Sequence, residues 1–370
     1  MRSVPPVPHV ILATRYPESV ASSRERFLRL RLQLASAGLT FEVLQLYPDS
    51  YSTWARRSLS VRAVEAIAAL GRRIAQIRAI GAATPGRPVV VVAQYELLPF
   101  APAWFESMLR PAGVHLILDY DDAWHHHYAR HSNRLVRAVA GNKIARIMAR
   151  ADAVVAGSAY LLAFAEQHAV RTRFIPTALA LSDYPAVPPA ESPKFVVGWL
   201  GSPATAKHLE LVREPVERYL KSIGGELHIV GATPEPRAEG NTRWIPWSQE
   251  TAASLLVDMH VGIMPLPDTP FEHGKCAFKL LQYMAAWRPV VASPVGENLS
   301  VVERSGAGLL ATSAHEWVQA LETLRVAPEQ RALLGRAGRR FIENAYTHDI
   351  AGERLITLIH EVAGTVPPQH

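Results

Sequence analysis

The chain has 370 residues, 49% hydrophobic and 19% charged, with a net charge of +6. That length predicts two domains or three, and the composition excludes a disordered chain. No stretch approaches the ~18 uninterrupted apolar residues of a membrane span. The apolar run Val10 to Ala13 is too short for a signal peptide. A lone cysteine, Cys276, excludes an internal disulfide and a cysteine-rich zinc site, so a soluble cytoplasmic protein is expected. Only six of the 39 cations are lysine. An arginine-rich composition accounts for the charge, or else an anionic partner does, either a phosphate ligand or an anionic membrane surface.

In chain order, Val10 to Ala13 reads as a buried strand. Ser22-Ser23-Arg24-Glu25 opens a helix carrying Phe27, Leu28, Leu30, Leu32 and Leu34 and ending at Gly38. Phe41 to Leu46 is the next strand. Residues 60 to 80 form a helix with Ile67, Leu70, Ile74 and Ile77 on its apolar face. Arg62, Arg72 and Arg73 lie roughly opposite, either as a solvated face or as a contact for an anionic membrane. Strands follow at Pro88 to Ala93, Val114 to Leu118 and Ala153 to Ala156. Strands separated by helices predict a parallel sheet covered on both faces.

Pro176 to Pro193, with Pro185, Pro188, Pro189 and Pro193, reads as the interdomain linker. A second alternating series follows. Phe195 to Leu200 is a strand, followed by a Gly-Ser-Pro turn and a helix from about Thr205. Glu226 to Val230 is a strand ending at Gly231, residues 249 to 257 are helical, and Val261 to Met264 is a strand. Lys275 to Ala286 is a helix, and Pro289 to Ala292 a strand. The expected architecture is α/β, with two doubly wound domains and ligands beyond the carboxyl ends of the strands, in a cleft between the domains. No Walker loop, nucleophile elbow or Rossmann glycine fingerprint occurs, which argues against an ordinary dehydrogenase.

The most informative stretch runs from Asp258 to Asn298. A strand ends at Pro265, and a loop with Asp268, Glu272 and His273 leads to Gly274 and the helix bearing Lys275, Lys279 and Gln282. A glycine before a helix lets an anion approach free amides. Lys275 and Lys279, one turn apart, form either a solvated face or a pair reaching one diphosphate, and Gln282 extends that face toward a sugar hydroxyl. The scarcity of lysine elsewhere favours phosphate binding. Trp244 and Trp247 are either buried core residues or stacking surfaces for a nucleotide base.

The N-terminal half offers two groups at strand ends. Ser22, Ser23 and Arg24 begin a helix, as an N-cap, a phosphate or acceptor loop, or both. Asp119, Asp121 and Asp122 follow a buried strand, and His125, His126 and His127 follow them. Metal binding there is disfavoured because adjacent histidines rarely converge on one ion. The remaining readings are a helix cap by Asp121 or Asp122, or general acid/base work.

The stretch Gln282-Tyr283-Met284-Ala285, followed by Ala286-Trp287-Arg288-Pro289-Val290-Val291-Ala292, resembles the C-terminal signature of retaining GT-B glycosyltransferases of family 4 (glycosyl transferases group 1). So do Val295 to Asn298 through Glu303 to Leu310, Val197 to Gly201 with Lys207 after it, and Phe341 to Tyr346. The resemblance covers about 180 residues well and the N-terminal half loosely.

This resemblance implies a GT-B fold of two Rossmann-like domains. Residues 1–180 would bind the acceptor, 181–346 would bind the nucleotide-sugar donor, and a helix at about 347–366 would pack back on the first domain. It also implies metal-independent, retaining hexosyl transfer from a nucleoside diphosphate sugar to an acceptor hydroxyl, without a cofactor. The donor contacts would be Gly201, Ser202, Lys207, Glu272, Gly274, Lys275, Lys279 and Gln282, and Asp121, Asp122 and His125 are the candidate catalytic residues.

Two departures stand out. Gly274 and Gln282 occupy the positions of the family's paired glutamates. The expected acceptor is a surface glycan or lipid-linked saccharide, with the protein peripheral on the inner face of the cell membrane and nucleic acid not a partner. The competing readings are a catalytically inactive nucleotide-sugar-binding subunit and a nucleotide-sugar epimerase or phosphorylase.

Overall fold

The computed structural model describes residues 7–366 except 50, 52–56, 84–85, 234–239 and 250. The chain divides into two compact units, residues 1–178 with 348–370, and residues 179–347.

Unit 1 holds a six-stranded sheet of β1 (His9–Thr14), β2 (Thr40–Gln45), β3 (Val89–Gln94), β4 (Val114–Tyr120), β5 (Ala153–Ala156) and β6 (Thr172–Phe174). Its order is β2-β1-β3-β4-β5-β6, and every neighbouring pair is parallel. β3 is buried along its whole length because helices cover both faces, hence its run of four valines. The short β6 escaped the sequence reading.

Helix His348–Ala363 completes this unit. Ala351, Leu355, Leu358, Ile359 and Val362 line its inner face and join the core that contains Phe27, Leu30 and Val92. Gln33 donates to Asp349 at 3.0 Å, and Arg173 pairs with Glu361 at 2.8 Å.

Two helices of this unit differ from the sequence expectation. The helix expected from Ser22 is three pieces, Ala21–Arg26, a 3-10 turn Leu28–Leu30, and Arg31–Ser36, with a break at the buried Phe27. The helix Leu59–Ala83 is rotated relative to its predicted face. Ile67 is 70% exposed, while Arg73 is buried and donates through Nη2 to the carbonyls of Thr14 and Leu44 at 2.7 and 2.8 Å. Burial lowers the Arg73 pKa to about 10. It serves as a clamp on the ends of β1 and β2, not as a surface charge.

Unit 2 repeats the plan with β7 (Val196–Leu200), β8 (Glu226–Val230), β9 (Thr242–Ile245), β10 (Val261–Met264), β11 (Val290–Ala292) and β12 (Gly308–Leu310). The order is β12-β11-β10-β7-β8-β9, again all parallel. The strand order reverses between β1 and β3 in unit 1, and between β7 and β10 in unit 2. Those switch points are where such sheets open a crevice for ligands. The Tyr283 hydroxyl spans the second one: it accepts from the Leu200 amide at 2.7 Å and donates to the Ile263 carbonyl at 3.4 Å. The proline-rich segment begins inside unit 2, where Leu179 bridges to Thr347 and Pro185 accepts from Trp287 Nε1 at 2.9 Å.

A buried charge network ties unit 1 together below its strand ends. Lys143 contacts Glu96 at 2.6 Å and Glu106 at 3.0 Å, and Arg15 reaches Glu96 at 2.9 Å. Burial alone would push Glu96 up and Lys143 down. The mutual attraction wins, holding Glu96 below and Lys143 above the usual values. Lys143→Met leaves two buried carboxylates undercompensated. It is expected to destabilise unit 1 by about 3–5 kcal/mol in denaturant unfolding.

Candidate functional site

In unit 2 the site forms around the carboxyl end of β7. Trp199 is the penultimate residue of that strand and is fully buried. Lys279, on helix Phe278–Ala285, places Nζ 4.1 Å from the Trp199 ring centroid and 3.4 Å from Thr205 Oγ1. A Cβ on Gly201 would stand 2.3 Å from the Trp199 ring and 2.7 Å from Lys279 Nζ. Only a glycine there leaves room for the ammonium. Burial, reinforced by the charge of Lys275, lowers the Lys279 pKa to about 7. Among the described residues no carboxylate pairs with it.

The surrounding groups come from three segments. Ser202 caps the 3-10 helix Pro203–Leu211, with its amide donating to Thr205 Oγ1 at 3.2 Å. Lys207 is exposed on that helix, and His208 beside it is buried. His208 Nε2 lies 3.4 Å from Glu272 Oε1, and Glu272 also accepts from Thr269. Burial, with Lys275, Lys279 and Lys207 adding to it, takes the His208 pKa to about 4 against the pull of Glu272. Lys207, His208, Glu272, Lys275 and Lys279 therefore share one neighbourhood, and His208 had given no signal in the sequence.

Lys275 does not stand on the helix. The chain makes a short helix Pro270–His273, then an irregular stretch in which Ala277 takes a left-handed φ of 52°, and the helix proper starts at Phe278. Lys275 instead lies 5.2 Å from the Phe271 ring centroid. The amide of Gly274 donates to Phe271 and that of Lys275 to Glu272, both at 3.1 Å. The cationic side chains, rather than these amides, are what the segment offers an anion. Gln282, one turn beyond Lys279, is partly buried.

Beside this cluster Trp244 and Trp247 line one open pocket of about 430 Å³ with Pro203, Gly231, Ala232 and Thr233. Gly231 has a φ of +86°, and a Cβ there would meet the Gly201 carbonyl oxygen at 2.3 Å. The two strand ends can approach this closely only because residue 231 is glycine. Trp244 Nε1 is buried without a partner.

In unit 1 a second group collects at the ends of β1, β3 and β4. Gln94 accepts from the Arg15 amide at 2.9 Å and from Ser23 Oγ at 2.8 Å, and donates to Ser22 Oγ at 3.1 Å. Ser22 and Ser23 thus sit inside helix Ala21–Arg26, held by Gln94, and do not cap it. Arg24 is buried, bonded to Glu25 at 2.8 Å and to the Glu18 carbonyl at 3.1 Å.

Tyr95, with a left-handed φ of 64°, donates its hydroxyl to Asp121. Burial and the neighbouring Asp122 raise the Asp121 pKa to about 7. Neither aspartate caps the next helix, whose N-cap is Ala123. Asp119 pairs with Arg26. Arg15 stacks over Trp124 at 4.0 Å, and His127 meets Trp124 edge-on at 4.8 Å. His125 instead stacks on Phe164 at 3.9 Å, and burial and His126 lower its pKa to about 4. Tyr95, Gln94 and Arg15 were not legible as site residues. Among the described residues no group of His, Cys, Asp or Glu is arranged to hold a metal.

Residues 194–325 match the family described as glycosyl transferases group 1, a segment confined to unit 2. No curated protein matches the chain. Among solved structures it is similar to sucrose-phosphate synthase from Thermosynechococcus elongatus, at 15% identity and a TM-score of 0.71, covering 96% of this chain and 99% of that one. It is also similar to HepE of Anabaena in complex with UDP, at 12% identity and TM-score 0.64, covering 95% and 100%. A third is WaaG, a glycosyltransferase involved in lipopolysaccharide biosynthesis, at 13% identity and TM-score 0.64, covering 95% and 99%. The chain thus has the GT-B glycosyltransferase fold, and its second unit carries the group 1 sequence pattern.

The desolvated ammonium of Lys279 sets a pH test. With a folded pKa of about 7 against ~10.4 in the unfolded chain, the folded state binds fewer protons between those values. Stability from this group is therefore lowest below pH 7 and rises as pH climbs toward 10. Lys279→Met should melt higher than the parent by roughly 2–5 °C at pH 6 without ligand, an advantage that shrinks by pH 9.5 in differential scanning fluorimetry.

Proposed function

We propose that the protein transfers a sugar from a nucleoside diphosphate sugar to an acceptor hydroxyl, with retention of anomeric configuration and without a metal. The observation that carries this reading is the Lys279 ammonium, buried over Trp199 with no carboxylate partner among the described residues. A desolvated cation is costly unless an anion arrives. A departing diphosphate accumulates negative charge, and preorganised cations in a dry site stabilise it. Lys279, Lys275 and Lys207 supply those charges. The nucleobase stacks in the Trp244–Trp247 pocket, and Gln282 bonds a ribose hydroxyl. Glu272, braced by Thr269 and His208, faces the donor sugar. The HepE structures that contain UDP and UDP-glucose make a uridine nucleotide the first donor to try.

Asp121, whose carboxyl is half-ionised near neutrality, takes in its ionised form the proton of the acceptor hydroxyl as the bond from C1 to the diphosphate oxygen breaks, the nucleoside diphosphate leaves and the new C1–O bond forms. Asp122, next to it, holds that pKa up. The acceptor is a surface saccharide or lipid-linked saccharide, which suits a protein peripheral on the cytoplasmic face of a membrane. Gly274 and Gln282, at the positions of the family's glutamates, favour one second reading, a nucleotide-sugar-binding subunit without transfer activity.

Calorimetry and product analysis separate these readings. Lys279→Ala should weaken nucleoside diphosphate binding by at least ~1.5 kcal/mol, and unchanged affinity would remove the diphosphate from this site. Asp121→Asn should leave nucleotide affinity intact and lower sugar transfer about 10²-fold or more. A parent protein that binds UDP-glucose but neither transfers nor hydrolyses it with any acceptor tried would favour the inactive subunit.

A further inference from the structure

Between Asp122 and Asp152 the chain has no acidic residue. These 29 positions carry Arg130, Arg134, Arg137, Lys143, Arg146 and Arg150. Lys143 is consumed by Glu96 and Glu106, and Arg137 bonds the carbonyls of His131 and Ser132. The other four are exposed, and among the described residues none forms an ion pair with a carboxylate.

The segment folds as short helices, Trp124–Ala129, Arg134–Ala140 and Lys143–Met148, packed with one another and with helix Ala103–Leu109. Arg150 reaches Ser107 at 3.5 Å, and Phe100 sits edge-on to Tyr128 at 5.5 Å.

The outer side of this cluster sets exposed apolar side chains among its cations. Leu135 and Val139, one turn apart, are 75% and 52% exposed, and Trp104 and Met108, also one turn apart, are 59% and 69% exposed. A solvated helix would put polar residues at these positions. An unpaired cation beside a protruding leucine or tryptophan suits an interface that is negatively charged at its surface and apolar just beneath.

We infer that this helix cluster docks on an anionic lipid surface, with Leu135, Val139, Trp104 and Met108 entering the acyl boundary and Arg130, Arg134, Arg146 and Arg150 lying among the headgroups. The helix Leu59–Ala83 is the competing face. It exposes Val61, Val64 and Ile67, but its Arg73 is turned inward and its Glu65 pairs with Arg57. The basic segment begins directly after Asp121 and Asp122 in the chain. The lipid contact itself does not depend on the proposed transfer.

Flotation of the full chain with vesicles tests the docking. The parent should float with phosphatidylglycerol/phosphatidylcholine vesicles, stay behind with phosphatidylcholine alone, and dissociate as salt is raised. Arg134→Glu/Arg146→Glu and, separately, Leu135→Asp/Val139→Asp should each cut binding to the anionic vesicles at least ~tenfold, with UDP affinity and melting temperature unchanged. Arg72→Glu/Arg78→Glu on the competing helix should change it less than ~twofold. A parent that ignores anionic vesicles, or binds neutral ones equally, overturns the inference. So does full binding by either cluster variant, or loss of binding only in the Arg72/Arg78 variant. Failure here with UDP binding retained leaves the donor site standing.

Discussion

A single buried cation organises the second unit. Lys279 sits over Trp199 at the end of β7, and its neighbours are explained by it. Gly201 must lack a side chain so that Nζ can pass, and Gly231 must lack one so that the next strand end can close against Gly201. Lys143 in the first unit is the informative contrast. It is fully buried as a residue, but Glu96 and Glu106 meet it at 2.6 and 3.0 Å, and its pKa is held up. Lys279 meets Thr205 and the like charge of Lys275 with no paired carboxylate among the described residues, and its pKa falls. The same side chain is a structural rivet where the fold supplies carboxylates, and where the fold withholds them it is the group proposed to meet the diphosphate.

The carboxylates of the first unit divide in the same way. Asp119 is met by Arg26, and Glu96 by Arg15 and Lys143. Asp121 receives a phenol from Tyr95 and the repulsion of Asp122, and it alone among these is brought to about 7. A phenol donates a hydrogen bond without neutralising charge, so burial and the like-charged neighbour prevail. The strand end therefore carries one carboxyl poised to exchange a proton at neutral pH beside several locked in ion pairs.

The sheet cores were legible because parallel strands covered on both faces must be continuous apolar runs. β1, β3, β7 and β10 could be read from Val, Ile and Leu alone. Short edge strands carried too little of that signal: Thr172–Phe174 and Thr242–Ile245 each open on Thr-Arg and offer only one or two apolar residues. Helix faces misled where a polar side chain found a buried partner. Arg73 looked like a surface charge because sequence cannot show that two carbonyls at strand ends await it. In unit 2 Lys279 and the two tryptophans could be singled out from residue type and spacing, and Glu272 from the family resemblance. Trp199, Thr205 and His208 could not, because their part in the site comes from tertiary proximity alone.

The remaining discrepancies concentrate where the backbone is strained. Among the described residues four that are not glycine adopt left-handed φ values: Tyr95, Phe100, Ala277 and Trp287. The indole of Trp287 donates to Pro185, and the Arg339 guanidinium lies over its ring. Tyr95 and Ala277 lie at the two candidate sites. Ala277 delays the helix to Phe278, which moves Lys275 off the helix face that the spacing had assigned it. Tyr95 turns its hydroxyl onto Asp121. Such conformations cost roughly 1–3 kcal/mol each and persist only where surrounding contacts over-determine them. Local propensity reads the sequence well until tertiary contacts force a residue against it, and in this chain two of those places are where the chemistry is proposed.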